Sequence, residues 1–168
     1  MPAKQRPLAR LERQDFERLP HRVHEPGVRN AFSRVRRPVI VVDASAVLEL
    51  LLRTARGNRV ESRALAFGER LHAPHLLDVE VAQALRRLVQ LGDITAGRAR
   101  QALDAHAALG MDRHTHHVLL PRIWQLRESI TAYDAAYVAL AEALDVPLLT
   151  RDAKLARSHG HQAKMELV

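Results

Sequence analysis

The sequence contains no cysteine, which excludes a disulfide framework and any thiolate metal site and suits a reducing compartment. It has no run near the roughly 18 consecutive apolar residues of a membrane span. Its Arg-rich beginning lacks the apolar stretch of a secretory signal, so cytoplasmic residence is the expectation. There is no internal repeat and no low-complexity core. What is present is 168 residues with 47% hydrophobic content, enough for one globular domain around a single core.

The formal net charge of +7 is unevenly spread. Residues 1–38 hold ten Lys/Arg against four Asp/Glu, whereas residues 39–168 hold sixteen against fifteen. The basic character therefore belongs to an N-terminal arm, which shows no helical or strand period and contains Pro2, Pro7, Pro20, Pro26 and Pro38. Such a segment is expected to be mobile. Clustered arginines attract phosphate, but a solubilising extension or a start codon set too far upstream is the plainer expectation.

From residue 39 onward strands alternate with helices. Val39–Val42 is a β-branched run suited to a strand buried on both faces. Helical spacing of Val47, Leu48, Leu51 and Leu52 follows, with Ser45 placed as its cap. A second short helix is expected over Arg59–Gly68 and a strand near Leu71–Ala73. Leu76–Leu91 is the clearest amphipathic helix, closed by Gly92, and Thr95–Leu109 is its hairpin partner, ended by Gly110. A short strand at Val118–Leu120 and a helix over Pro121–Glu128 come next. Ala132–Leu144 is helical, Leu148–Thr150 a strand, and Met165–Val168 an edge strand. This order implies an α/β domain with a short, mostly parallel sheet flanked by helices.

Four carboxylates stand where structure alone gives them little reason to be. Asp43 ends the first strand, at the sheet edge where open α/β folds place ligands, with Ser45 as a second oxygen two residues on. Glu80 falls inside the apolar stripe of Leu77, Val81, Ala84, Leu85 and Leu88, and a lone buried charge needs a partner or a wet crevice. Asp134 reads as the third residue of a capping box begun by Thr131, yet it also lies on the stripe of Tyr137, Val138 and Ala141. Asp152 ends the strand Leu148–Thr150, where it also suits the cap of a helix over Ala153–Arg157. Asp78 points off its helix's stripe and is set aside. Two strand ends and two helix starts converge on one sheet edge. Carboxylates about 4 Å apart repel by roughly 4 kcal/mol at an effective dielectric of 20, so such a cluster calls for a cation. Oxygen-only ligands select Mg²⁺ or Mn²⁺ over zinc.

The segments Val39–Ala46, Pro74–Arg86, Thr131–Tyr137 and Leu149–Leu155 together resemble the signature segments of PIN-domain ribonucleases, especially VapC-type toxins of prokaryotic toxin–antitoxin pairs. The resemblance covers residues 39–168 and leaves the arm outside. It implies a PIN-like three-layer α/β/α nuclease domain that cleaves RNA endonucleolytically with Mg²⁺ or Mn²⁺. It also implies a homodimer and a cognate VapB-like antitoxin. By carry-over, Asp43, Glu80, Asp134 and Asp152 would form the catalytic metal site, supported by Ser45 and Thr150. Arg151, Lys154, Arg86 and Arg87 are candidate substrate-phosphate contacts, although a solvated charge is the plainer reading of any one.

Other readings are weaker. His114 and His116 alternate as zinc ligands would on a strand, but no second pair completes a site. Trp124, Tyr133 and Tyr137 could stack on bases, but the chain is only 4% aromatic and core packing is the better expectation. An aspartyl-phosphate protein also places an Asp after its first strand, yet the dehalogenase-like pattern wants a second Asp where Ser45 stands. A catalytically silent PIN-like binding module is the remaining alternative, against which the intact acids argue.

Overall fold

The computed structural model describes residues 39–55, 57–65 and 70–168. The basic arm over 1–38 and the expected helix end at Gly68 lie outside the described residues. Ile40, Val41 and Val42 form β1 (Val39–Val42). All three have 1% exposure or less, although successive side chains of a strand point to opposite faces. Both faces of the sheet are therefore covered, which is the condition for a parallel sheet.

The strands β1, β2 (Arg70–Pro74), β3 (Met111–His114), β4 (Leu148–Thr150) and β5 (Met165–Leu167) form one sheet in the order β3-β2-β1-β4-β5. Every pair is parallel, with Ile40 opposite Leu71 and Val42 opposite Leu149. The helices are α1 (Ala44–Leu52), α2 (Gly57–Leu65), α3 (Leu76–Leu91), α4 (Ala96–Ala108), α5 (Leu120–Gln125), α6 (Ala132–Leu144) and α7 (Ala153–Ala156). Helix α1 packs on α2, α3 and α4, whereas α6 packs on α5 and lies against β1, β2 and β4. The result is the expected three-layer α/β/α arrangement. No helix among the described residues is long and apolar enough to cross a membrane.

The small residues of α6 allow Ala135 through Ala141 to be buried without interruption, so this helix is embedded rather than half-exposed. Leu77, Val81 and Leu85 of α3 are buried as their spacing predicts. Gly92 ends α3 at φ 79°, its N–H donating to the Leu88 and Val89 carbonyls; this is the left-handed cap that glycine adopts readily.

Three expectations need correction. The strand predicted at Val118–Leu120 is absent: His117–Leu119 is a 3₁₀ turn leading into α5, with Pro121 in its first turn, where a missing N–H is harmless. The strand lies earlier, at Met111–His114, held to β2 by its backbone and half-buried throughout. Asp43, not Ser45, caps α1, its carboxylate accepting the Ala46 N–H. Of the three aromatics expected in the core, Tyr137 is 2% exposed, but Tyr133 and Trp124 are 66% and 57% exposed. The Arg127 guanidinium lies 5.0 Å from the Trp124 ring centre.

The start of α2 is set against α1 through Gly57. A Cβ there would lie 2.4 Å from the Glu49 carbonyl oxygen and 3.1 Å from its carbon. Backbone cannot swing aside as a flexible side chain can, so Gly57→Ala should destabilise the domain by about 2–3 kcal/mol. Urea unfolding measures this, and an unchanged midpoint would mean that α1 and α2 separate without cost.

Candidate active site

Asp43 sits where β1 ends and α1 begins, 6% exposed. Its Oδ1 accepts from the Ser45 hydroxyl at 2.7 Å and the Ala46 N–H at 2.9 Å, and its Oδ2 from the Thr150 hydroxyl at 2.6 Å. The two hydroxyls carry the network onward: Ser45 Oγ accepts the Arg151 N–H at 2.9 Å, and Thr150 Oγ1 accepts the Asp152 N–H at 2.9 Å. Adjacent parallel strands β1 and β4 are thus stitched together at their carboxyl ends through one carboxylate. Ser45 and Thr150, the supporting hydroxyls that the resemblance implies, both donate to Asp43.

Glu80 reaches this region from α3 and Asp134 from the first turn of α6. Burial raises the Asp43 carboxyl above its ordinary value, partly offset by its hydrogen bonds and reinforced by Asp134. Burial likewise raises Glu80, partly offset by a hydrogen bond from Tyr137 and reinforced by Asp134 and Asp43. The three acids therefore lie within each other's electrostatic reach. Asp152, exposed, touches this network only through its backbone N–H on Thr150, while its carboxylate caps α7, Oδ1 accepting the Lys154 and Leu155 N–H groups.

The oxygens divide in a consistent way. Glu80 Oε2 accepts from the Tyr137 phenol, Asp134 Oδ2 from the Thr131 hydroxyl at 2.7 Å, and Asp152 Oδ1 from backbone. The second oxygen of each has no hydrogen-bond partner among the described residues. No three Asp, Glu or His side chains among the described residues stand close enough to enclose a metal ion, so the convergence is electrostatic rather than a formed chelate. The donors nonetheless suit a hard divalent cation: they are all oxygen, Asp43, Glu80 and Asp134 repel one another, and three keep an oxygen open.

The basic candidates separate. Arg151 follows Thr150 and directs its Nε to Glu49 of α1 at 2.7 Å; Glu49 is 7% exposed and also accepts from the Thr54 hydroxyl. Arg86 and Arg87 are exposed on α3 and Lys154 on α7, with no ion pair to any of the four acids. Asp78, set aside on sequence grounds, lies in a different cluster. It accepts from Arg113 Nε at 2.8 and 2.9 Å and contacts His106 Nε2 at 2.7 Å, joining α3, α4 and β3. His114 contacts His72 Nδ1 through Nε2 at 2.6 Å.

Sequence reasoning missed Tyr137 as part of the site. Its spacing announced burial, and the available signal was chemical: a buried phenol requires a hydrogen-bond partner.

Comparison with known proteins agrees with this fold. The PIN domain family model matches residues 40–159. A VapC ribonuclease of Mycobacterium bovis is 44% identical over 130 residues, covering 77% of this chain and 98% of the relative. Ribonuclease VapC1 of Mycobacterium tuberculosis is 47% identical over 130 residues, covering 76% and 96%. Among solved structures, PAE2754 from Pyrobaculum aerophilum has a TM-score of 0.58 at 22% identity, covering 76% of this chain and 83% of that one. VapBC2 from Rickettsia felis, bound to a DNA fragment from their promoter, has a TM-score of 0.58 at 12% identity, covering 77% and 98%. These two structures share the fold.

Proposed function

The chain belongs to the PIN-domain family, and from that premise we propose that it is a VapC-type endoribonuclease, the toxin of a toxin–antitoxin pair. It hydrolyses RNA phosphodiester bonds at the sheet edge formed by Asp43, Glu80, Asp134 and Asp152. The observation that carries this reading is the electrostatic convergence of Asp43, Glu80 and Asp134 beside the ends of β1 and β4, in a chain 44–47% identical to named ribonucleases.

Asp43, Glu80, Asp134 and Asp152 would hold Mg²⁺ or Mn²⁺. Such an ion, when bound, supplies charge neutralisation at phosphoryl oxygens and a more acidic water. The protein's own work is positioning. Ser45 and Thr150 hold the Asp43 carboxylate from both sides, Thr131 holds Asp134, and the α7 backbone holds Asp152. Arg151, whose side chain is 46% exposed and anchored at Nε by Glu49, is the best-placed phosphate contact. Lys154, Arg86 and Arg87 add diffuse attraction. A VapB-like antitoxin, a homodimer and a cytoplasmic setting complete the proposal, as the likeness to VapC ribonucleases implies.

The test is incubation of total cellular RNA with purified, antitoxin-free protein under Mg²⁺, Mn²⁺ or EDTA. Discrete fragments are expected with either metal and none with EDTA. Well-folded protein that leaves RNA intact under every condition would turn the reading to a silent binding module.

A further inference from the structure

Tyr137 is buried on α6, within the unbroken buried run Ala135–Ala141, where phenylalanine would fill nearly the same volume. Its hydroxyl distinguishes it, and that hydroxyl donates to Glu80 Oε2 across the gap between α6 and α3. Tyr137 lies one turn beyond Asp134, so a single helix delivers one acid and the clamp on another. The hydrogen bond engages one carboxylate oxygen, and Glu80 Oε1 has no hydrogen bond among the described residues. Thr131 treats Asp134 in the same manner, Oδ2 engaged and Oδ1 open.

We propose that Tyr137 is a positioning residue of the cation site: its phenol fixes the Glu80 carboxylate so that one defined oxygen is presented to a divalent ion. This rests on the reading that these acids hold such an ion. A partner that orients a metal ligand is worth about 10- to 100-fold in metal affinity. A phenol that only ties α6 to α3 would affect stability and leave affinity unchanged.

The experiment is Mn²⁺ titration of RNA-free full-length protein, with free Mn²⁺ read by electron paramagnetic resonance, for wild type, Tyr137→Phe, Glu80→Gln and the double variant. Tyr137→Phe should weaken Mn²⁺ binding about tenfold, and adding it to Glu80→Gln should weaken binding no further, because the phenol acts through Glu80. A lowered Tm with unchanged Mn²⁺ affinity would overturn the proposal while sparing the cation site. Wild-type protein that binds no Mn²⁺ would overturn both. The chain has only two tyrosines, so 3-fluorotyrosine labelling gives a second readout if Tyr137→Phe does not fold. Titrating Mg²⁺ should move the Tyr137 fluorine resonance saturably in wild type and not in Glu80→Gln; an unmoved wild-type resonance would reject the role.

Discussion

Asp43→Asn should reduce RNA cleavage by roughly 10³-fold or more while leaving the domain as stable as before, or slightly more so. Both halves follow from the environment of this one carboxylate. Asparagine is as good a helix cap as aspartate, so its amide oxygen can keep the bond from the Ala46 N–H. Burial makes the anionic form of Asp43 costly and raises its pKa, and a neutral amide removes that cost. What asparagine cannot replace is the negative charge, nor can its NH₂ accept the Thr150 proton. Cleavage assays beside thermal unfolding read the two effects separately. A variant that cleaves at the wild-type rate would move the chemistry away from this sheet edge, and one that merely unfolds would show Asp43 to be structural.

Acid should destabilise the domain through His72, by about 2–3 kcal/mol between pH 6.5 and pH 4. The His72 ring is 2% exposed, and burial, with contributions from His114 and Arg70, lowers its pKa from 6.5 to about 4 despite Asp112. The folded state therefore binds fewer protons than the unfolded chain over that interval. The stability is present in full above pH 6.5 and is lost as pH falls towards 4. Burial also lowers His114, so the effect concentrates where β3 meets β2, with the two rings stacked at 4.9 Å. Asp43 and Glu80 act in the opposite sense. Their raised values favour the folded state as pH falls towards the ordinary carboxylate range, so the His72 contribution must be isolated by difference. His72→Leu should flatten the dependence on pH of urea-unfolding free energies between pH 4 and 7 relative to wild type. Parallel curves for the two proteins would remove His72 as the cause.

How much the sequence disclosed depended on whether side-chain pattern or distant pairing decided the outcome. Val39–Val42 and the α3 stripe were legible because burial there is dictated by apolar spacing, and the four acids were conspicuous because they interrupted it. Strand β3 was silent: Met-Asp-Arg-His has no alternation, and backbone pairing with β2 at the sheet edge places it. The cap on α1 was misassigned by two residues because Asp43 and Ser45 both suit the role, and the extended backbone of Asp43 decided between them. Contacts across 57 residues for Tyr137 and Glu80, or 28 and 35 for Asp78 with His106 and Arg113, leave no local trace. Trp124 and Tyr133 show the converse error, in which hydrophobic identity was taken for burial.

The placement of β1 in the middle of the sheet, with β4 as its neighbour, has a consequence for biosynthesis. Asp43 is made early, but the hydroxyl that holds its Oδ2 and the backbone that completes its network come from Thr150, Arg151 and Asp152. A nascent chain that has not yet extruded β4 has half the hub and none of the bracing opposite it. The Asp43 carboxylate is therefore fully braced only once nearly the whole domain is available to fold. An amino-terminal fragment ending before β4 should be inert, and a nonsense mutation anywhere upstream of Thr150 should release no active nuclease.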